Sequence, residues 1–484
     1  MMKTSSPSTA LATQLLREEL AYLRLPAAAW PGLGHASTST AMADVAIIGA
    51  GMFGIAAAVA LALKGVSNVR LFDNSAPGHS GPWTTYARMR TLRSPKELPG
   101  LALGIRALTF RAWYEAVYGV EAWEALYKIP NGVWQDYLDW IAHAFELSID
   151  YNTQIRSFNA GPQGVTLSST DGRTLEARRL VIATGRAGTG GASIPAFISP
   201  ALFPDRAAHT CDPVDFSALA GRRVAVIGAG SSAWDNAATA LEHGAAHVTM
   251  YARRSHLPQF NKARASTYPG FVEGWHALTP QQQWTLAAYL DGTPPPPPHE
   301  TVLRTLAAAD AGRFTLHLNA RLQRVDEQDA QVQLTLADRT DLADFLIVGT
   351  GFRVDLGQAP LFAEVADRVA LWRDRFDPEQ VAQRLHLGLY PWLGPGFELQ
   401  AREPGDDALN RVHLLNHAAS LSYGAVASDI PAISSAADRL ATRIVAQLFG
   451  EAFTGHHQHL LAWEAEWELE KTPYLHRDTG LNQS

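Results

Sequence analysis

The sequence predicts an α/β fold with two Rossmann-like dinucleotide-binding domains, and three patterns support this prediction. An apolar strand that leads directly into a glycine-rich turn and a small-residue helix occurs twice, starting near residues 44 and 222. Each copy is followed by another strand that ends in charged residues. Two later apolar strands end in Thr-Gly. Because each strand–turn–helix unit suits one nucleotide, we expect two domains, the second inserted into a discontinuous first.

The expected domain boundaries follow from these patterns. We expect an N-terminal extension at 1–40 with one amphipathic helix from Leu11 to Leu25, a first domain at 41–190 and 340–450, an inserted domain at 191–339, and a C-terminal tail at 451–484. The extension is expected to cover a surface or a subunit contact.

The first glycine turn has the spacing of a dinucleotide-binding fingerprint. Gly49 permits the tight turn, Gly51 lets the backbone approach a pyrophosphate, and Gly54 allows helix and strand to pack closely. The next strand ends at Asp73, 24 residues after Gly49, where an acid binds a ribose hydroxyl. The helix N-terminus would then face the phosphates.

This stretch has two other interpretations. Residues 45–63 form an almost unbroken apolar run that is long enough for a transmembrane helix. Three glycines in its first third, and a second strand soon after, favour a buried strand and helix. An accidental glycine-rich turn is the other alternative, and it leaves Asp73 unexplained.

Composition restricts the function classes. With 484 residues and 47% hydrophobic content, the chain suits a globular enzyme of two or three domains. A net charge of -7 argues against nucleic acid or an anionic membrane as a partner. The one cysteine, Cys211, provides neither a disulfide nor the redox pair of a disulfide reductase. The N-terminus has no signal-peptide pattern, so we expect a soluble, cytoplasmic protein; its oligomeric state stays open.

A basic segment follows the first fold. Four cations lie within nine residues, at Arg88, Arg90, Arg93 and Lys96. They either form a solvated face or line a site for an anionic substrate or for cofactor phosphates. Beyond them, residues 108–147 are helical and aromatic, which is typical of a core. Short strands are expected around Ile155 and Val165, before an apolar strand that ends in Thr184 and Gly185.

The second glycine turn contains Gly228 and Gly230, followed by Ser231 and Ser232 at the start of a helix. The next strand ends in Arg253 and Arg254, where the first fold has an acid. Because guanidinium groups bind a 2'-phosphate through paired hydrogen bonds, this fold should prefer NADPH to NADH.

The rest of the chain returns to the first domain. Residues 256–300 are expected to be irregular, with a stiff connector at 294–298, and strands are expected at 314–318 and 331–336. An apolar strand from Asp344 then ends in Thr350 and Gly351, where we place the return. A strand near 412–417 and a helix at 431–449 follow. Three nearby histidines, at 456, 457 and 459, lack a ligand pattern, so no metal site is expected.

With both glycine turns and both Thr-Gly strands in view, the chain resembles the two-nucleotide-fold flavoprotein monooxygenases over about residues 42–450. These include flavin-containing monooxygenases, Baeyer-Villiger monooxygenases and amino-acid N-hydroxylases. The resemblance implies an FAD site at the first turn and an NADPH site at the second. The implied cofactor-binding residues are Gly49, Gly51, Gly54, Asp73, Trp83, Thr184, Gly185, Gly228, Gly230, Ser231, Ser232, Arg253, Arg254, Thr350 and Gly351.

Local signatures divide between the subfamilies. Gly81-Pro82-Trp83 resembles the Gly-Gly-x-Trp loop of many members. The segment from Phe203 to His209 has the Baeyer-Villiger spacing, but Asp205 replaces a glycine and Pro213 an aromatic residue, which argues against ketone oxidation. Residues 344–352 resemble the Asp-x-x-x-Leu-Ala-Thr-Gly-Tyr motif of the N-hydroxylases.

The resemblance implies a monooxygenase in which NADPH reduces FAD and a peroxyflavin passes one oxygen atom from O2 to a small polar, anionic substrate. Two substrate classes fit: an amino acid or amine hydroxylated on nitrogen, or a urate-like heterocycle hydroxylated on carbon. Arg93 and Lys96 are the expected substrate-side cations near the flavin. The alternatives are an NADPH-dependent flavin reductase or electron carrier without oxygen insertion, and a nucleotide-sensing protein without turnover.

Overall fold

The computed structural model describes residues 9–31, 42–309, 312–427, 429–463 and 469–474. The strands are β1 (Ala43–Ile48), β2 (Val69–Phe72), β3 (Ile149–Asp150), β4 (Ile155–Ala160), β5 (Val165–Ser169), β6 (Thr174–Ile182), β7 (Ala207–His209), β8 (Arg223–Ile227), β9 (His247–Tyr251), β10 (Phe314–His317), β11 (Arg324–Gln328), β12 (Gln331–Thr335), β13 (Thr340–Ala343), β14 (Phe345–Val348) and β15 (Val412–Leu414).

The α-helices are α1 (Ala10–Leu23), α2 (Met52–Leu63), α3 (Phe110–Tyr118), α4 (Val120–Ala125), α5 (Asn131–Ala144), α6 (Ser231–Glu242), α7 (Pro269–Gly274), α8 (Pro280–Gly292), α9 (His299–Ala309), α10 (Trp372–Arg375), α11 (Pro378–Gln383), α12 (Leu385–Gly388), α13 (Ser420–Tyr423), α14 (Ile433–Glu451) and α15 (Phe453–Leu461). Short 3-10 turns connect several of them.

The first sheet has the order β3-β2-β1-β6-β5-β4, and β15 also pairs with the end of β6. Strands β1, β2, β6 and β15 run parallel, so their carboxyl ends meet at one edge. Helix α2 is apolar on all sides and packs between this sheet and α14, which is why almost every one of its residues is buried. The run at 45–63 is therefore a strand, a turn and a helix, and no helix in the described ranges has the length and apolarity to cross a membrane.

The second sheet is fully parallel, in the order β10-β9-β8-β14-β7. Strand β14 pairs with β8 on one side and with β7 on the other, so it lies inside the second domain. The expected return to the first domain at residue 340 is therefore corrected: the chain leaves the second sheet only after Val348, and Val354 is the next residue in the first core. A three-stranded antiparallel sheet, β11-β12-β13, precedes β14.

The region 256–300 is more helical than the sequence analysis expected. Helix α8 begins with Pro280 at its first turn, and Thr279 and Gln282 form a reciprocal capping box. This start signal was missed because the helix has no clear apolar face. Its Trp284 packs against Trp372, so the segment bridges toward the first domain.

The N-terminal helix is confirmed as α1, which covers the first domain. It buries Ala12 and Leu16, and the Glu19 carboxylate accepts hydrogen bonds from the backbone N–H groups of Arg106 and Ala107 at 2.9 and 2.7 Å. Residues 1–8 and 32–40 of the expected extension, and residue 41 after it, lie outside the described residues.

Candidate functional site

The first glycine turn joins β1 to α2 in a geometry that only glycine allows. Gly49 has φ +100°, and a Cβ there would lie 2.5 Å from the carbonyl oxygen of Ala183. A Cβ on Gly54 would lie 1.8 Å from the carbonyl oxygen of Gly49. Gly51 is the N-cap residue of α2, whose free N–H groups and dipole favour phosphate charge. The turn thus combines close backbone packing with an anion-binding helix terminus.

Asp73 lies against this turn at the end of β2. Its carboxylate accepts hydrogen bonds from the backbone N–H of Ala50 at 2.7 Å and of Ser75 at 2.8 Å. Each carboxylate oxygen has a second lone pair, so the group can still accept a ribose hydroxyl. The side chain is buried, and the two backbone bonds hold it in a fixed position beside the turn.

The loop before the basic segment faces the same turn. A Cβ on Gly51 would lie 3.8 Å from the Cα of Gly81, so the two backbones approach closely. Within the described residues, Ser80 Oγ and Trp83 Nε1 are buried without a hydrogen-bond partner. Buried polar atoms are normally paired, so a bound polar group between this loop and the turn fits both atoms. The Trp83 ring contacts Trp134 edge-on, with ring centroids 6.3 Å apart.

The ends of β6 and β15 complete this edge of the first sheet. Asn416, two residues after the end of β15, donates a hydrogen bond from Nδ2 to Thr184 Oγ1 at 3.3 Å. The Asn416 Oδ1 atom accepts the backbone N–H of Ala418 at 3.0 Å. Gly185 has φ +65°, which lets the chain turn away beyond Thr184. In open α/β sheets, ligands bind at such a carboxyl edge.

The second glycine turn repeats the geometry with another neighbour. Gly228 has φ +110°, and a Cβ there would lie 2.3 Å from the carbonyl oxygen of Gly349. The end of β14 therefore crosses the second turn, and Thr350 and Gly351 belong to the second sheet's edge rather than to the first. The Thr350 hydroxyl donates to the carbonyl of Ser193, whose N–H donates to the Gly351 carbonyl at 2.8 Å. These hydrogen bonds join the segment by which the chain enters the second domain, at Ser193, to the segment by which it leaves, at Thr350 and Gly351.

The second turn is followed by exposed cations. Arg253 and Arg254 come directly after β9 and Ala252, and both are exposed. Among the described residues, neither guanidinium makes a hydrogen bond or an ion pair. Desolvation, and then the charge of Arg253, lowers the pKa of Arg254. Ser231 and Ser232 open α6, on the same edge of the sheet.

Two cations of the basic segment, Arg93 and Lys96, have protein partners. Arg93 forms an ion pair with Asp235 on α6, and Lys96 donates to the carbonyl of Trp123 at 2.8 Å with its ammonium 4.9 Å from that ring's centroid. Because these partners belong to protein rather than to an open site, we assign Arg93 to a domain contact and Lys96 to packing. The sequence analysis did not expect these protein contacts, and the placement of both cations beside substrate and flavin stays a prediction.

The same contact includes a second carboxylate. Glu242, at the end of α6, pairs with Arg90 at 2.7 Å and with Arg304 at 2.6 Å. Arg304 also donates to the carbonyl of Arg88 at 2.9 Å. The segment after the first fold is thereby held to α6 and α9 of the second domain.

Sequence reasoning missed a polar group of side chains beyond the first sheet's edge. Arg186, His417 and Asp429 lie near the ends of strands or in loops, with two tyrosines close by. Burial, reinforced by the Arg186 charge, lowers the pKa of His417 to about 3, so its imidazole is neutral at pH 7. Two sequence signals pointed to this group: Arg186 follows the Thr184-Gly185 turn, and His417 follows the apolar strand β15.

A cavity of about 420 Å³ opens between the two domains, and its lining includes Tyr86, one of the two tyrosines near Arg186. Thr85, Tyr86 and Arg88 line it from the first domain, and Cys211 and residues 213–215 line it from the second. Burial raises the pKa of Cys211 in its wall to about 11, so the thiol is protonated and a poor nucleophile at neutral pH.

Three comparisons place this geometry among known proteins. Residues 46–272 match the family described as pyridine nucleotide-disulphide oxidoreductase. The FAD-dependent urate hydroxylase of Xanthomonas campestris pv. campestris is 39% identical over 425 residues, which cover 86% of this chain and 89% of that protein. The chain belongs to the family of this FAD-dependent hydroxylase. The resemblance to flavoprotein monooxygenases is thereby confirmed, and the chain is an oxidoreductase.

Solved structures confirm the fold of this flavoprotein monooxygenase. The ornithine N-hydroxylase of Kutzneria sp. 744 superposes with a TM-score of 0.66 at 17% identity, covering 84% of this chain and 99% of that one. L-lysine 6-monooxygenase of Pseudomonas syringae gives a TM-score of 0.65 at 17% identity, with coverage of 84% and 99%. At this identity the likeness shows the arrangement of the two nucleotide-binding domains, without indicating a substrate.

Proposed function

We propose that this protein is an FAD- and NADPH-dependent monooxygenase that uses O2 to hydroxylate urate or a closely related anionic heterocycle. The observation that carries the proposal is the 39% identity to a urate hydroxylase across most of both chains. Of the two substrate classes that the sequence left open, this relative favours the heterocycle hydroxylated on carbon.

FAD fits the first turn because the protein has a suitable group for the pyrophosphate, for a ribose hydroxyl and for a further hydrogen-bond acceptor of the cofactor. The N-terminus of α2 suits the pyrophosphate, Asp73 suits a ribose hydroxyl, and the unpaired Trp83 Nε1 suits a further acceptor. When bound, the flavin supplies the electron transfer and oxygen activation that amino-acid side chains lack.

NADPH fits the second turn for a similar reason. The Gly230 end of α6 suits the pyrophosphate, and the exposed guanidinium groups of Arg253 and Arg254 suit a 2'-phosphate. The protein's own contribution is to orient both nucleotides across the domain contact and to hold neutral groups such as His417 beside the reacting region.

Oxygen-coupled turnover of the purified protein tests the proposal. The protein should bind FAD, lose flavin absorbance with NADPH under anaerobic conditions, and consume NADPH in air faster when urate is present. Hydroxylated urate should form in a ratio near one to one with NADPH. L-ornithine and L-lysine serve as matched amino-acid substrates and should not stimulate turnover.

Two results would overturn the proposal. NADPH oxidation that produces hydrogen peroxide alone with every substrate would instead indicate a reductase or electron carrier. Hydroxylation of an amino acid in preference to urate would reject the heterocycle and retain the monooxygenase.

A further inference from the structure

An arginine at the carboxyl edge of the first sheet has no partner in the structure. Arg186 lies one residue after Gly185, on the turn that follows β6. Its side chain is exposed, and within the described ranges it makes no hydrogen bond or ion pair. By contrast, Arg90 and Arg93 are held by carboxylates of α6. Arg186 is thus a free guanidinium at the ligand-binding edge.

Four titratable side chains from separate segments lie within electrostatic range of Arg186. They are Tyr86, Tyr390, His417 and Asp429. Tyr86 comes from the loop after the first fold, and Tyr390 lies more than twenty residues before β15. His417 and Asp429 both follow β15. Convergence of segments so far apart in sequence indicates a site that the tertiary structure assembles around one cation.

Tyr86, Tyr390 and His417 near Arg186 are aromatic and uncharged. The rings of Tyr390 and His417 meet edge-on, with centroids 6.3 Å apart. His417 is neutral, and its Nδ1 is buried without a hydrogen-bond partner among the described residues. Burial raises the pKa of both tyrosines, which keeps their hydroxyls protonated. The group therefore offers hydrogen bonds and ring surfaces around a single positive charge.

The carboxyl group of Asp429 adds an acceptor to this arrangement. Desolvation raises the pKa of Asp429, and the charge of Arg186 opposes this shift without reversing it. A carboxylate near a guanidinium suits a ligand that carries N–H donors as well as a negative edge. A planar oxidised purine has both, with adjacent ring atoms that match the paired donors of an arginine.

We propose that Arg186 binds the anionic edge of the substrate, a planar heterocycle such as the urate monoanion, and thereby sets the preference for anions over neutral purines. The inference rests on the proposed function for the substrate class, and it adds the residue that recognises the charge. A guanidinium binds two adjacent acceptors at once, whereas an ammonium binds as a point charge.

Calorimetric titration of the FAD-loaded protein tests this recognition without turnover. Arg186→Ala should weaken urate binding about 10- to 100-fold, the range for losing a charged hydrogen-bond partner. Hypoxanthine, a neutral purine, should bind within about twofold of its affinity for the unaltered protein. The urate affinity of Arg186→Lys should lie between those of Arg186→Ala and the unaltered protein, because lysine keeps the positive charge but lacks the paired donors of a guanidinium. Arg156→Ala, which removes an exposed arginine from β4, is the matched control.

The outcomes separate this inference from the proposed function. Equal urate affinity in the Arg186→Ala and unaltered proteins, or no urate binding by the unaltered protein, overturns the role of Arg186. Binding that depends on Arg186 without urate hydroxylation rejects the proposed function and keeps the anion site. In turnover, the same variant should raise the KM for urate more than it lowers kcat.

Discussion

Arg93 and Asp235 form an ion pair that joins the segment after the first nucleotide fold to the helix that opens the second. The Asp235 side chain is 4% exposed, whereas that of Arg93 is 42% exposed. Asp235 Oδ1 also accepts the hydroxyl of Thr301 on α9 at 2.9 Å. A cation from one domain thus neutralises a carboxylate buried in the other.

Arg93→Ala should destabilise the protein by about 1–3 kcal/mol, because it leaves Asp235 buried without its charge partner while solvent screens part of the loss. Urea unfolding of the single variants and of the double variant with Asp235→Asn measures the coupling between the residues. Arg156→Ala should have little effect. Strictly additive losses would show that the ion pair contributes nothing across the domain contact.

Asp73→Ala should reduce FAD content, because the carboxylate both fixes the first turn and accepts the ribose. Asp73→Asn keeps an acceptor oxygen and should lose less. The ratio of flavin to protein absorbance and the dissociation constant for FAD are the measurements. Asp150→Ala, on neighbouring strand β3, is the control. Unchanged flavin content in Asp73→Ala would contradict this site.

Gly228→Ala and Gly230→Ala should behave differently at the second turn. A Cβ on Gly228 would meet a backbone oxygen at 2.3 Å with φ at +110°, whereas one on Gly230 meets nothing within 4 Å. Gly228→Ala should therefore cost at least about 1–3 kcal/mol of stability. Gly230→Ala should keep stability yet raise the KM for NADPH, because its Cβ would stand where the pyrophosphate approaches. Thermal unfolding and NADPH kinetics separate the two effects.

Replacing Arg253 and Arg254 with Ala should raise the KM for NADPH about 10- to 100-fold and that for NADH much less, because only NADPH carries the 2'-phosphate. Arg321→Ala, an exposed arginine of the same domain, controls for lost charge. Steady-state kinetics with both coenzymes gives the comparison. Equal increases for the two coenzymes would reject the phosphate site.

The Asp344–Arg223 pair should make stability depend on acid pH. Hydrogen bonds from the Arg223 side chain, followed by its backbone N–H and charge, lower the pKa of Asp344 to about 2. Because the pKa of Asp344 is lower in the folded protein, the pair stabilises the fold at pH values above the pKa of the unfolded chain, about 4. This stability is lost as the pH falls through about 2. Asp344→Asn should therefore be less stable at pH 7, and the difference should shrink between those values. Unfolding midpoints measured across this range provide the test.

The nucleotide-binding fold was predictable because its determinants are local. Gly49 and Gly228 each sit within one strand–turn–helix unit, and their positive φ angles are ones that glycine adopts without strain. The family resemblance followed from the same short segments. The helix at 280–292 was not predicted although Thr279 and Gln282 carry its start signal, because its apolar residues do not form a stripe on one face.

By itself, the sequence determined two nucleotide-binding turns, an acid after one and arginines after the other. Tertiary structure alone decided that β14 lies in the second sheet, that Arg93 meets Asp235, and that Arg186 lies free near His417. The physical reason is the distance along the chain over which each interaction acts. Turn and helix signals act over a few residues, whereas the partner of a charge depends on which distant segment packs beside it.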